Sequence, residues 1–76
     1  MHVKLYAKDF CPFCQKVENY LIQNKVSYEK IEVSDKPNEY ERLKQQTGHQ
    51  TVPQIFVDDE FIGGSTEFDT FLANQI

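Results

Sequence analysis

His2-Val3-Lys4-Leu5-Tyr6 alternates polar with apolar residues, the period of a strand with one buried face, and Ala7-Lys8-Asp9-Phe10 breaks the alternation. A first strand therefore ends near Tyr6. From Pro12 to about Asn24 the apolar residues Phe13, Val17, Tyr20 and Leu21 recur at helical spacing, with Pro12 near the start, where its missing N–H does no harm. A second strand is expected between Ser27 and Val33, a segment rich in β-branched and aromatic residues. Ser34-Asp35-Lys36-Pro37 offers capping residues and an early proline, Tyr40 and Leu43 share one helical face, and Gly48 ends the pattern, which predicts a short second helix. Val52-Pro53-Gln54-Ile55-Phe56-Val57, a turn at Asp58-Asp59, and Glu60-Phe61-Ile62 before Gly63-Gly64 read as an antiparallel hairpin. Phe68, Phe71 and Leu72 mark a last helix running to about Asn74, and Thr66-Glu67-Phe68-Asp69 matches a capping box in its Asp variant.

The order β-α-β-α-β-β-α carries no repeat and no linker, and describes a single α/β domain over residues 1–76. Helices joining the first three strands imply crossovers. A four-stranded mixed sheet flanked by helices is therefore expected, with parallel pairs and one antiparallel edge. Six Phe and four Tyr help to fill so small a core. The formal charge of -4 comes from scattered Asp and Glu, and basic residues cluster no further than Arg42 and Lys44, which argues against nucleic acid as a partner. No apolar run approaches the roughly 20 residues that span a bilayer, and Met1-His2-Val3-Lys4-Leu5 lacks a signal peptide's apolar stretch. A cytoplasmic monomer is the expectation.

Two cysteines three positions apart cannot build the disulfide framework of a small secreted domain. Cys11-Pro12-Phe13-Cys14 instead follows a strand and opens a helix, the setting in which C-x-x-C reads as a redox pair. The N–H groups and macrodipole at a helix start favour an anion, and Lys8 adds positive charge, so Cys11 is the expected thiolate nucleophile. Cys14, one turn in, gains less; it is expected to stay protonated and to act as the resolving thiol. Inert core cysteines would not suit a strand-to-helix junction beside Lys8 and Asp9. A structural zinc wants four ligands, and only His2 and His49 remain, at no standard spacing. No metal is expected, and both histidines read as solvated or packing residues. Pro53 is awkward in a central strand. A cis Val52–Pro53 bond would explain it, turning the Val52 N–H and C=O outward toward an extended partner; an ordinary trans proline at the strand's first residue is the other explanation.

On Cys11-Pro12-Phe13-Cys14, Thr51-Val52-Pro53-Gln54-Ile55-Phe56 and Gly63-Gly64-Ser65, three separated motifs in the right order, the chain resembles bacterial dithiol glutaredoxins along its whole length. The resemblance implies the thioredoxin-like fold, and a glutathione-dependent thiol–disulfide oxidoreductase that reduces protein disulfides and glutathione mixed disulfides. It implies that Lys8 and a polar neighbour of the Thr51-Val52-Pro53 segment, here Gln50, bind the glycine carboxylate of glutathione, and that Val52 pairs with its cysteinyl backbone. Phe13 stands where the family more often has Tyr, giving an apolar wall without the phenol. Gly63 and Gly64 let the backbone approach a ligand closely, and the N–H groups at Ser65 and Thr66 suit the γ-glutamyl carboxylate. Many members carry two Asp after the position of Ser65, where this chain has Thr66-Glu67. Glu67 either reaches the γ-glutamyl ammonium or is a plain first-turn charge.

Expected partners are glutathione, as co-substrate, and disulfide-bearing or glutathionylated proteins, with ribonucleotide reductase among the candidates. Two other functions stand beside this one. The first is an electron donor to ribonucleotide reductase recharged by thioredoxin reductase; Lys8, Ser65 and Thr66, as carboxylate binders, favour glutathione over it. The second is an iron–sulfur carrier in which two subunits hold a cluster through cysteines and glutathione. Pro12 and a second cysteine resemble the redox branch of the family more than the cluster-binding branch.

Overall fold

In the computed structural model, which describes residues 1–74, β1 (His2–Ala7) turns Val3, Leu5 and Ala7 to one face, where all three are buried. The side-chain period of two in a strand produces this. α1 (Pro12–Gln23) lays Cys14, Val17 and Leu21 against them, α3 (Ser65–Ala73) adds Phe68, and β3 (Gln54–Val57) completes the core with Ile55 and Val57. The buried stripe of α1 differs from the expected one. Cys14 takes the core place, while the Phe13 ring is 60% exposed. Neighbouring helical residues point about 100° apart, so burying one turns the other out.

The sheet runs β2–β1–β3–β4, with β2 (Ser27–Glu32) and β4 (Glu60–Gly63) at its edges. β2 is parallel to β1, whereas β3 is antiparallel to both β1 and β4. The sheet is mixed, but it has one parallel pair and not several. Register gives the reason. Glu32 pairs with Ala7 and Gln54 with Tyr6, so β2 finishes and β3 starts at the same end of the sheet. α2 (Pro37–Thr47) crosses without returning the chain to the far end. β4 also finishes at this end, with Gly63 opposite Ile55. The loop after β1, the loop before β3 and the β4–α3 junction therefore converge there.

Local chemistry sets the connections. Asp58 and Asp59 have φ of 49° and 70°, the left-handed pair that a tight two-residue hairpin needs. Ser34 and Asp35, expected to cap α2, instead form a 3-10 turn over Val33–Asp35, because the Glu32 carboxylate takes the Ser34 N–H at 3.4 Å. α2 then starts at Pro37 behind Lys36, without a side-chain cap. The cap of α3 is Gly64 and not Thr66, and Glu67 Oε1 accepts the Gly64 N–H at 2.7 Å. Asp69, expected in that role, lies 3.3 Å from Lys16 Nζ instead. Among the described residues, no helix is long and apolar enough to cross a membrane.

Candidate active site

Cys11 is the N-cap of α1, with extended backbone (φ -98°, ψ 110°), and its Sγ accepts the Cys14 N–H at 3.3 Å. Pro12 follows at the first helical position, where no N–H is needed. Cys11 is partly exposed, and its sulfur has a main-chain donor beside it. Cys14 is only 3% exposed. Burial first of all, then its hydrogen bond with the Cys11 side chain, pushes the Cys14 thiol up to about 12, against a lowering contribution from the Lys8 main chain. One sulfur is thus presented and the other is held back as a thiol. Iodoacetamide at neutral pH is expected to modify Cys11 alone in the folded protein, and both cysteines once the chain is unfolded, as read by peptide mass spectrometry. Equal labelling of the two in the native state would contradict the assignment.

The loop before the pair is tied to the end of β2. Glu32 Oε1 accepts the Asp9 N–H at 3.3 Å as well as that of Ser34. Burial tends to raise this carboxyl, but the hydrogen bonds from Ser34 and Asp9 outweigh it and hold the group below the usual range. Lys8 Nζ lies 5.2 Å from the Tyr40 ring centroid and Lys44 Nζ 4.7 Å, both at cation–π distance. The Tyr40 hydroxyl donates to the Gln50 carbonyl at 3.3 Å. Tyr40 thereby links α2, the Lys8 ammonium and the segment leading to β3.

That segment is pinned by a buried amide. Gln54 is fully buried at the start of β3; its Nε2 donates to the His49 carbonyl at 2.6 Å, and its Oε1 lies 2.9 Å from Thr47 Oγ1. Thr47 Oγ1 in turn accepts the His49 N–H at 3.1 Å. With its hydrogen bonds satisfied, a buried amide fixes geometry rather than costing stability. The Val52–Pro53 peptide that follows is cis.

A cleft of about 280 Å³ opens between these loops, lined by Phe13, His49, Thr51, Val52, Pro53, Gly64, Ser65, Thr66 and Glu67. Most binding residues expected from sequence thus share one hollow. Lys8 and Gln50 do not line it: Lys8 stands over Tyr40, and Gln50 offers its carbonyl to the Tyr40 hydroxyl. His49, read from sequence as a solvated or packing residue, is in the wall. Its Nε2 is 3.4 Å from Thr51 Oγ1 and would stand 3.1 Å from a Cβ on Gly64, and its ring meets Phe61 edge-on at 5.9 Å. Its place two residues before Thr51 was the only sequence signal. Glu67 lies in the wall with one carboxylate oxygen already held by the Gly64 N–H. Among the described residues, no group of three or more His, Cys, Asp or Glu side chains is placed to hold a metal ion.

Known proteins resemble this chain in sequence and fold. The family model described as Glutaredoxin matches residues 3–62. Glutaredoxin 3 of Escherichia coli K12 is 33% identical over 63 residues, covering 83% of this chain and 76% of that protein. Glutaredoxin 1 of Rickettsia conorii is 40% identical over 62 residues, covering 79% of this chain and 61% of its own length. Wheat glutaredoxin superposes with a TM-score of 0.86 at 31% identity, over 95% of this chain and 72% of that one. A buckwheat glutaredoxin–glutathione complex gives 0.84 at 26% identity, over 95% and 68%. A family pattern that runs from Val3 to Ile62, through the cysteine pair and the Thr51-Val52-Pro53 loop, leaves one conclusion: the chain belongs to the glutaredoxin family.

Proposed function

We propose that this thiol–disulfide oxidoreductase is glutathione-dependent, reducing glutathionylated proteins and protein disulfides through Cys11 and Cys14. The observation that carries the proposal is the cleft, whose wall takes in Phe13, between the two cysteines in sequence, the Thr51-Val52-Pro53 loop and the N-terminus of α3. Its two halves suit the two ends of a γ-glutamyl tripeptide. The first N–H groups of a helix have no intrahelical partner, so Ser65 and Thr66 offer donors to the γ-glutamyl carboxylate. Glu67 keeps acceptor capacity beyond its bond to Gly64, which suits the neighbouring ammonium. Val52 supplies main-chain groups to the cysteinyl unit. His49 adds a polar side chain to the cleft wall, its Nε2 beside Gly64 at the γ-glutamyl end. The buckwheat relative, solved as a glutathione complex, supports the same ligand.

The Cys11 thiolate attacks the glutathione sulfur of a mixed disulfide. A Cys11–glutathione disulfide forms and the protein leaves as a thiol. A second glutathione thiolate then attacks the bound glutathione sulfur, so that glutathione disulfide departs and Cys11 is a thiolate again. Electron sources separate this from the thioredoxin-like alternative. With a glutathionylated protein as substrate, turnover is expected with glutathione and glutathione reductase. Turnover with thioredoxin reductase alone, and none with glutathione, would contradict the proposal.

A further inference from the structure

The Phe10 ring is 93% exposed, and its backbone φ is 60°, a left-handed conformation that bulky residues rarely take. Both neighbours are fixed. The Asp9 N–H is held by Glu32 Oε1, and Cys11 is held as the cap of α1. Asn or Gly would suit this turn better. A phenyl ring that gains no burial, on a backbone it disfavours, points to a use outside the fold.

Phe10 and Phe13 flank Cys11 in the chain, but only Phe13 lines the cleft. A glutathione in the cleft meets Phe13. Phe10, next to Cys11 in the chain and outside the cleft lining, is open to a partner larger than glutathione. The adjoining Lys8 and Asp9 have opposite charges, and the chain as a whole carries -4, so this edge holds no electrostatic attraction for an acidic partner. Apolar contact is what it offers.

We infer that Phe10 is a docking residue for protein substrates, receiving an apolar side chain next to the target's glutathionylated cysteine and so selecting among mixed disulfides by what flanks them. The inference rests on Cys11 as the attacking thiol. In the step concerned, the Cys11 thiolate bonds to the glutathione sulfur, the glutathione–peptide S–S bond breaks, and the peptide sulfur leaves as a thiolate that takes its proton from water. Phe10 touches the leaving chain only.

Two peptides of equal length test this, each with one glutathionylated cysteine flanked either by Leu or by Ser. A small glutathione mixed disulfide without a peptide serves as reference, with glutathione and its reductase recycling the enzyme. The unaltered protein is expected to prefer the Leu peptide about five- to tenfold in kcat/KM, the scale of a modest apolar contact. Phe10→Leu should keep most of that preference. Phe10→Asn should lose it while holding turnover of the small disulfide and keeping or raising the melting temperature. The inference is overturned if the preference is absent, if it survives in Phe10→Asn, if the small disulfide suffers equally, or if the melting temperature falls. Failure of the unaltered protein on the small disulfide as well would locate the error in the Cys11 chemistry, and the inference would fall with it.

Discussion

Cys11→Ser is expected to reduce activity on every disulfide to background, whereas Cys14→Ser keeps deglutathionylation and loses most reduction of intramolecular protein disulfides. The asymmetry follows from placement: Cys11 is the partly exposed cap of α1, and Cys14 is buried one turn inside. A glutathionylated substrate needs one attacking sulfur, and a second glutathione clears the adduct. An intramolecular disulfide leaves the substrate itself bonded to Cys11; Cys14 then attacks the Cys11 sulfur, the substrate departs as a dithiol, and two glutathiones reduce the resulting Cys11–Cys14 disulfide, leaving as glutathione disulfide. Well-oriented intramolecular attack has effective molarities of about 10⁵ M or more, so bulk thiol replaces Cys14 poorly and the loss should exceed about tenfold. The two routes should also differ in pH dependence. The Cys14 thiol is pushed up to about 12, mainly by burial. Once Cys11 is in a disulfide, its own contributions to that rise disappear, while burial remains. Burial still holds the thiol up, so the Cys14 thiolate fraction grows as pH rises, and the Cys14-dependent route should accelerate with it. Cys14→Ser, assayed on the intramolecular disulfide, should lose the part of this alkaline rise that exceeds the titration of glutathione itself. Loss of deglutathionylation in Cys14→Ser as complete as in Cys11→Ser would refute the division of roles.

Gly63→Ala is expected to be the most destabilising single-methyl change around the cleft. Gly63 has φ of 129°, and an added Cβ would stand 2.7 Å from Glu67 Cβ and Cγ and 2.9 Å from its Oε1. Backbone strain of about 1–3 kcal/mol joins an overpacking cost of similar size. A total near 3 kcal/mol is large against the roughly 4–11 kcal/mol expected for a chain of this length, and would lower the melting temperature by on the order of 15 °C. Glu67 would also be displaced from the Gly64 N–H, disturbing the start of α3 and the cleft wall together. Gly48→Ala is the control. Its φ is 73° and nothing lies within 4 Å of the added carbon, so strain alone applies, about 1–2 kcal/mol. Equal melting temperatures for the two variants would mean that the contact with Glu67 relaxes freely.

The strands, the helices and the cysteine pair were legible because each rests on a local pattern: alternation in β1, an apolar stripe and early proline in α1, paired Asp in the hairpin. The misreadings share a cause, which is that the deciding partner lies elsewhere in the chain. The apolar spacing put Phe13 on the stripe of α1, yet the face turned to Val3 and Leu5 belongs to Cys14. Crossover logic gave parallel strands, whereas only the Tyr6–Gln54 register shows that β3 re-enters from the end where β2 left. Thr66 looked like a cap because it has a hydroxyl; Gly64 has no side chain to advertise the role, and Glu67 supplies the bond from beyond. His49 reaches the cleft through the Thr47–Gln54 network, which joins α2 to β3 and leaves no mark on the residues beside it. The Tyr40 ring that Lys8 stands over comes from another element and leaves no mark on the residues beside Lys8.

The central claim, that Cys11 reacts beside a cleft that holds glutathione, is tested most directly by treating Cys14→Ser with glutathione disulfide and examining the product by mass spectrometry and amide chemical shifts. One glutathione on Cys11, with the largest shifts at Thr51, Val52, Gly64, Ser65 and Thr66, is the expected result. No adduct, or an adduct whose shifts stay within α1 and leave those five residues unmoved, would contradict it.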